Sequence, residues 1–127
     1  MKRDMEVIRE ILISIEENSE PELHGYLTID GIENGITLHH QHLLIQAGFI
    51  TAIEAGDANT RYGFELQNAS LTWEGHEFLA TIRDNDVWRQ TKKGASKIGG
   101  WSVSILSELA KGYVKQKAIE NGFPMGL

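Results

Sequence analysis

Residues 37 to 82 constrain this chain more than any other stretch, because one supersecondary pattern runs through them almost without a gap. Thr37-Leu-His-His-Gln-His-Leu-Leu-Ile-Gln-Ala-Gly48 carries apolar residues at helical spacing and closes on a glycine suited to a helix C-terminus. Thr37 is the expected N-cap. Two strand-like runs, 49 to 55 and 61 to 69, lie on either side of the turn-rich Gly56-Asp-Ala-Asn-Thr60. In the second run Tyr62, Phe64 and Leu66 alternate with Gly63, Glu65 and Gln67, the period of a half-buried strand. A second helix then follows, capped by Thr72, with Glu74 and Glu77 near its positive end and Phe78, Leu79 and Ile82 on its inner face.

The flanks extend this helix–hairpin–helix order. Residues 4 to 17 form a first helix whose Met5, Ile8, Ile11, Leu12 and Ile15 share one face, while Val7 and Ile13 imply burial on more than one side. Pro21 follows its end. Residues 24 to 31 read as a short strand, and Ile32-Glu-Asn-Gly35 leaves room for one helical turn at most. Asp86 is the expected cap of a helix through Lys97, with Val87, Trp88, Thr91 and Ala95 inward, broken by Gly99-Gly100. The last helix spans 102 to 120, with Val103, Leu106, Leu109, Ala110, Tyr113 and Val114 at helical spacing. The expected fold is α+β and mostly helical: a winged helix-turn-helix-like core with a small antiparallel sheet and additional C-terminal helices. It forms one domain over 1–127, divided into a core at 1–83 and a helical extension at 84–127.

With 127 residues and no cysteine, the chain can build a core without disulfides or thiolate-bound zinc. No apolar run approaches the roughly 18 residues that span a bilayer, and the N-terminus lacks a signal-peptide core, so a cytoplasmic protein is expected. The net charge of −6 is unevenly placed. Residues 1 to 86 hold five basic against sixteen acidic side chains, whereas residues 87 to 117 hold seven basic side chains against Glu108 alone. Such asymmetry fits a nucleic-acid footprint in the C-terminal third, or equally basic helices folded back on an acidic half.

Three runs carry a family resemblance: Met1-Lys-Arg-Asp-Met, His-x-x-Leu-Leu-x-x-Ala-Gly-Phe-Ile at 40 to 50, and Leu-Thr-Trp-Glu-Gly-His-Glu-Phe-Leu at 71 to 79. Together with the continuation through Ile82-Arg-Asp-Asn-Asp-Val-Trp88, they resemble domain-of-unknown-function family 2513, found in bacteria and their phages. The resemblance implies no activity and carries over no catalytic or binding residue. More loosely, the third run is similar to the helix after the hairpin in many winged-helix regulators, a likeness of fold alone.

The candidate site residues come from the residues themselves. His39, Gln41, His42 and Gln46 would form the outer face of a recognition helix able to touch base edges. That helix has no lysine or arginine, and the hairpin adds only Arg61. Phosphate affinity would fall to Arg89, Lys92, Lys93 and Lys97, grouped on one helix face, and to Lys111 and Lys115. The alternative is a solvated or internally paired basic face. No metal or cofactor is expected, since His39 and His42 lack a neighbouring third ligand short of His24 or His76. No enzyme is expected either: Glu74, His76 and Glu77 do not converge, and Ser102, Ser104 and Ser107 have no neighbouring base. Trp73, Trp88 and Trp101 each begin a helix, where a ring can seal the core or anchor a dimer, and a homodimer is expected. Two functions fit: a phage-related DNA-binding or regulatory accessory protein, or a protein-interaction module with a winged-helix core and no DNA binding.

Overall fold

The computed structural model describes residues 1–56, 59–60 and 65–123. Five helices and two strands follow in the order α1 (Met5–Glu16), α2 (Asn34–Gln46), β1 (Ile50–Ala55), β2 (Glu65–Leu71), α3 (Trp73–Ile82), α4 (Asn85–Ile98) and α5 (Val103–Glu120). The fold is α+β, mostly helical, with one small antiparallel sheet. Two compact units divide the chain, Met1–Glu77 and Phe78–Leu127.

In the first unit, Asp4 caps α1 by accepting the Glu6 N–H at 2.9 Å. Met5, Ile8, Ile11, Leu12 and Ile15 are buried as their spacing requires, and Val7 joins them. Arg9, four residues after Met5 and three before Leu12, is buried as well. The start of α2 departs from the sequence reading. The helix begins at Asn34, so Asn34, Gly35 and Ile36 are its first turn, and among the described residues no other helix lies between α1 and α2. Thr37 is therefore not the N-cap. It lies inside the helix, 1% exposed, with its hydroxyl turned back toward the Glu33 carbonyl.

α2 ends as its glycine predicts. Gly48 takes φ +80°, the Gly48 N–H donates to the Ile45 carbonyl and the Phe49 N–H to the Leu44 carbonyl. These two bonds satisfy the Ile45 and Leu44 carbonyls in the last turn and lead the chain into β1. Thr72 then ties this corner to α3: its hydroxyl donates to the Gly48 carbonyl at 2.6 Å and accepts the Gly75 N–H at 3.0 Å. The packing there is close enough to require glycine, since a Cβ at Gly75 would fall 2.0 Å from the Phe49 carbonyl oxygen.

β1 and β2 pair Ile50 with Leu71, Thr51 with Ser70 and Ile53 with Gln67. Between the last two pairs β2 has one residue more than β1, and Asn68 absorbs it at φ +54°. The extra residue shifts the alternation, so Leu66 and Ala69, three apart, are both buried. The strand expected at 24 to 31 reduces to one bridge, Tyr26 to Gln67. Gly25, at φ +73°, interrupts the extended backbone and bonds to Asn68 through its N–H and its carbonyl. Arg61, Tyr62, Gly63 and Phe64 lie outside the described residues.

In the second unit, α4 and α5 run antiparallel around Gly99 and Gly100, where the first of the two takes φ +70°. Asp84, not Asp86, caps α4, accepting the Val87 N–H at 2.9 Å. Lys117 near the end of α5 reaches the same carboxylate at 3.1 Å. Val87, Trp88, Thr91 and Ala95 are buried along α4, and Leu106 and Ala110 along α5. Ser102 caps α5 through the Ile105 N–H. Of the three tryptophans only Trp88 is in the core. Trp73 is 75% and Trp101 39% exposed, so neither ring closes a helix end.

Candidate nucleic-acid interface

α2 carries the residues expected to touch bases, and the structure separates them. Thr37, His40, Gln41 and Leu44 form its buried face. Gln41 was expected on the outer side, but it is 3% exposed and its amide Nε2 has no hydrogen-bond partner among the described residues. The helical spacing carries the reason: residue 41 follows Thr37 by four and precedes Leu44 by three, so polarity alone cannot move it off that face. His39 and His42 are half-buried and Gln46 is exposed.

His40 is buried and fully bonded. Its Nδ1 lies 2.8 Å from the Ile36 carbonyl, and its Nε2 accepts the Asp4 N–H at 2.8 Å. A carbonyl on one nitrogen and an N–H on the other assign the neutral tautomer with its proton on Nδ1. The imidazole thus clips the start of α1 to α2. Leu38, Leu43 and Ile45 are half-buried around the rest of the helix, which leaves little open polar surface. Among the described residues no three His, Asp or Glu side chains converge to hold a metal ion.

α4 is built the opposite way. Arg89, Lys93 and Lys97 follow at steps of four on the side away from Val87, Thr91 and Ala95, and all three are exposed. Lys92 flanks them with its ammonium 5.8 Å from the Trp88 ring centroid. Arg89 is engaged by Asp86, one turn back. On α5, Lys111 sits 4.0 Å from Glu108. Lys93, Lys97 and Lys115 have no carboxylate at ion-pair distance among the described residues. Internal pairing therefore takes up part of the basic set and leaves Lys93 and Lys97 of α4 presented to solvent. A cleft of about 40 Å³ between α4 and α5, lined by Asp86, Gln90, Tyr113 and Lys117 among others, has room for a water molecule rather than a cofactor.

The expected base-reading residues thus lie on α2 in the first unit, the expected phosphate-contacting residues on α4 in the second, and Arg61 lies outside the described residues. In one respect the sheet adds what the sequence reading left out. Tyr26 and Ile53, both paired with Gln67, are 53% and 55% exposed. The Tyr26 hydroxyl bonds the Glu65 carboxylate, which raises its pKa above the ordinary phenol value.

The structure defines a small α+β protein in which α4 exposes Arg89, Lys93 and Lys97 along one side, with no helix among the described residues long and apolar enough to cross a membrane. The chain belongs to the DUF2513 family, whose model, described as "Hypothetical protein (DUF2513)", matches residues 2–102. It is 34% identical over 120 residues to a Haemophilus influenzae protein described as "Uncharacterized protein", covering 91% of this chain and 98% of the relative. No solved structure matches.

Proposed function

We propose that the protein is a non-catalytic DNA-binding accessory factor that holds duplex DNA chiefly by its phosphates, through the exposed face of α4. The observation that carries this reading is the segregation of α4: Arg89, Lys93 and Lys97 lie outward, opposite a buried apolar face, and both lysines lack carboxylate partners among the described residues. Base contact from α2 is limited to His39, His42 and Gln46, because Gln41 is inside. A helix–hairpin–helix order in the first unit, with a bridging segment at Tyr26, supports a winged-helix-like core and a regulatory role, in a bacterial or phage setting.

Salt titration of duplex binding tests the proposal. Three cations predict a slope of log K against log salt of roughly −3, and Lys93→Glu with Lys97→Glu should reduce its magnitude by about 2 while weakening all sequences alike. Changing Gln46 or His42 to Ala should alter sequence preference only slightly. Undetectable binding at low salt, or binding unchanged in the double variant, overturns the reading.

The second reading, a protein-interaction module without DNA binding, is favoured by the first unit. Its sequence holds four basic against fourteen acidic side chains, and it exposes Trp73, Tyr26 and Ile53. A stoichiometric protein partner, captured by wild type and lost in Trp73→Ala, would favour it.

A further inference from the structure

β1 is an outer strand. β2 lies along one side, and among the described residues no backbone group pairs with the other side. Alternate residues of such a strand turn N–H and C=O groups outward, a template that proteins normally guard with lysine, proline, a bulge or a covering element. Ile50-Thr-Ala-Ile-Glu-Ala55 has neither lysine nor proline, and the bulge puts its extra residue on β2. Ile53 is 55% exposed on the same face as Gln67 and Tyr26, so three side chains stand in a row that ends at the open edge.

We propose that this edge is a homodimer interface, in which β1 pairs antiparallel with β1 of a second copy about a two-fold axis at Ile53. The strand fits itself in that register. Ile53 meets Ile53 of the second copy, Ala52 meets Glu54 and Thr51 meets Ala55, so no carboxylate opposes another. The row Tyr26–Gln67–Ile53 then continues into its own reverse, and each exposed isoleucine is covered by its equivalent. A two-fold axis makes the contact self-complementary and closed. The two acidic units repel each other, so added salt strengthens the dimer, the opposite of its effect on phosphate binding.

Sedimentation of the full chain without nucleic acid tests the interface. Wild type should be dimeric at about 100 μM, more so at high salt, and Ile53→Lys monomeric with an unchanged circular dichroism spectrum. Since the chain has no cysteine, Ile53→Cys gives a second measurement that keeps the strand apolar. A short bis-maleimide should link Ile53→Cys into dimers and leave Ile119→Cys on α5 unlinked. A monomer at that concentration, a dimer that persists in Ile53→Lys, or linkage through residue 119 instead of 53 overturns the proposal. Should Ile53→Lys unfold, the linkage pattern decides alone. The interface stands or falls independently of DNA binding.

Discussion

Helices α2 and α4 are nearly equal in length, thirteen and fourteen residues, yet they dispose of their polar groups in opposite directions. α2 turns Thr37, His40 and Gln41 into the first unit beside Leu44 and leaves Leu38 and Leu43 half-buried on the flanks. α4 buries Val87, Trp88 and Ala95 and sends its cations outward. Buried polar side chains in α2 are therefore part of the packing, whereas Arg89, Lys93 and Lys97 of α4 face solvent. The difference is one of position, since both helices are rich in polar residues. A helix named as a reader by its place in a motif can be the worse candidate for contact.

The sharpest way to break this comparison is through His40. Its two bonds join the Ile36 carbonyl and the Asp4 N–H, and the ring fills space that is otherwise closed. His40→Ala should cost about 2–3 kcal/mol, from the cavity and from a donor deprived of its acceptor. Denaturant melts would show it as a lower midpoint with an unchanged slope. A loss below about 0.5 kcal/mol would mean that α2 is not held by its inward polar groups.

Gln41 predicts the opposite sign. Its Nε2 is buried without a partner among the described residues, so the amide is desolvated with no returning hydrogen bond. Gln41→Met keeps the length of the side chain and removes the polar atoms. It should raise stability by about 1 kcal/mol, read as a higher melting temperature, and leave DNA affinity unchanged. A destabilised variant with weaker binding would put Gln41 back among the contact residues. His40 and Gln41 are adjacent, so their opposite responses separate a satisfied buried group from an unsatisfied one.

The sequence made α4 legible and α2 only partly so, for physical reasons. In α4 the spacing of Val87, Trp88, Thr91 and Ala95 and the spacing of the cations agree, leaving one possible orientation. Its cap was displaced by two residues because Asp84-Asn85-Asp86 offers three competent caps, and only backbone geometry selects the first. In α2 the apolar pattern points several ways, and the signal lay in the 37, 40, 41, 44 spacing regardless of polarity. Its start was hidden because Asn34 and Gly35 are weak helix formers, while Thr37 is a strong cap residue that packing draws inward. The bridge at Tyr26 was placed on a whole strand because β-prone side chains do not reveal that Gly25 and the Asn68 bulge take up the pairing on either side of one contact.

The smallest effect distinguishes how the two helices begin. α2 starts at Glu33 with no side-chain cap bond, and α4 starts on the Asp84 carboxylate. The Val87 N–H, then Lys117, hold that carboxylate below its ordinary pKa of 3.8. A depressed carboxylate contributes stability that is fully present above the unfolded value and disappears as pH falls through the lower folded one. Asp84→Ala should thus cost about 1 kcal/mol near neutral pH, mostly from the cap. Lys117→Met should cost about 0.5 kcal/mol, because that pair is half exposed and screened by salt. Measured from neutral to acid pH, the gap between wild type and Asp84→Ala should close below 3.8, while the loss in His40→Ala should have no such link to Asp84. A gap that stays open in acid would show that Asp84 holds α4 by shape and not by charge, and α4 would then begin as α2 does, by packing alone.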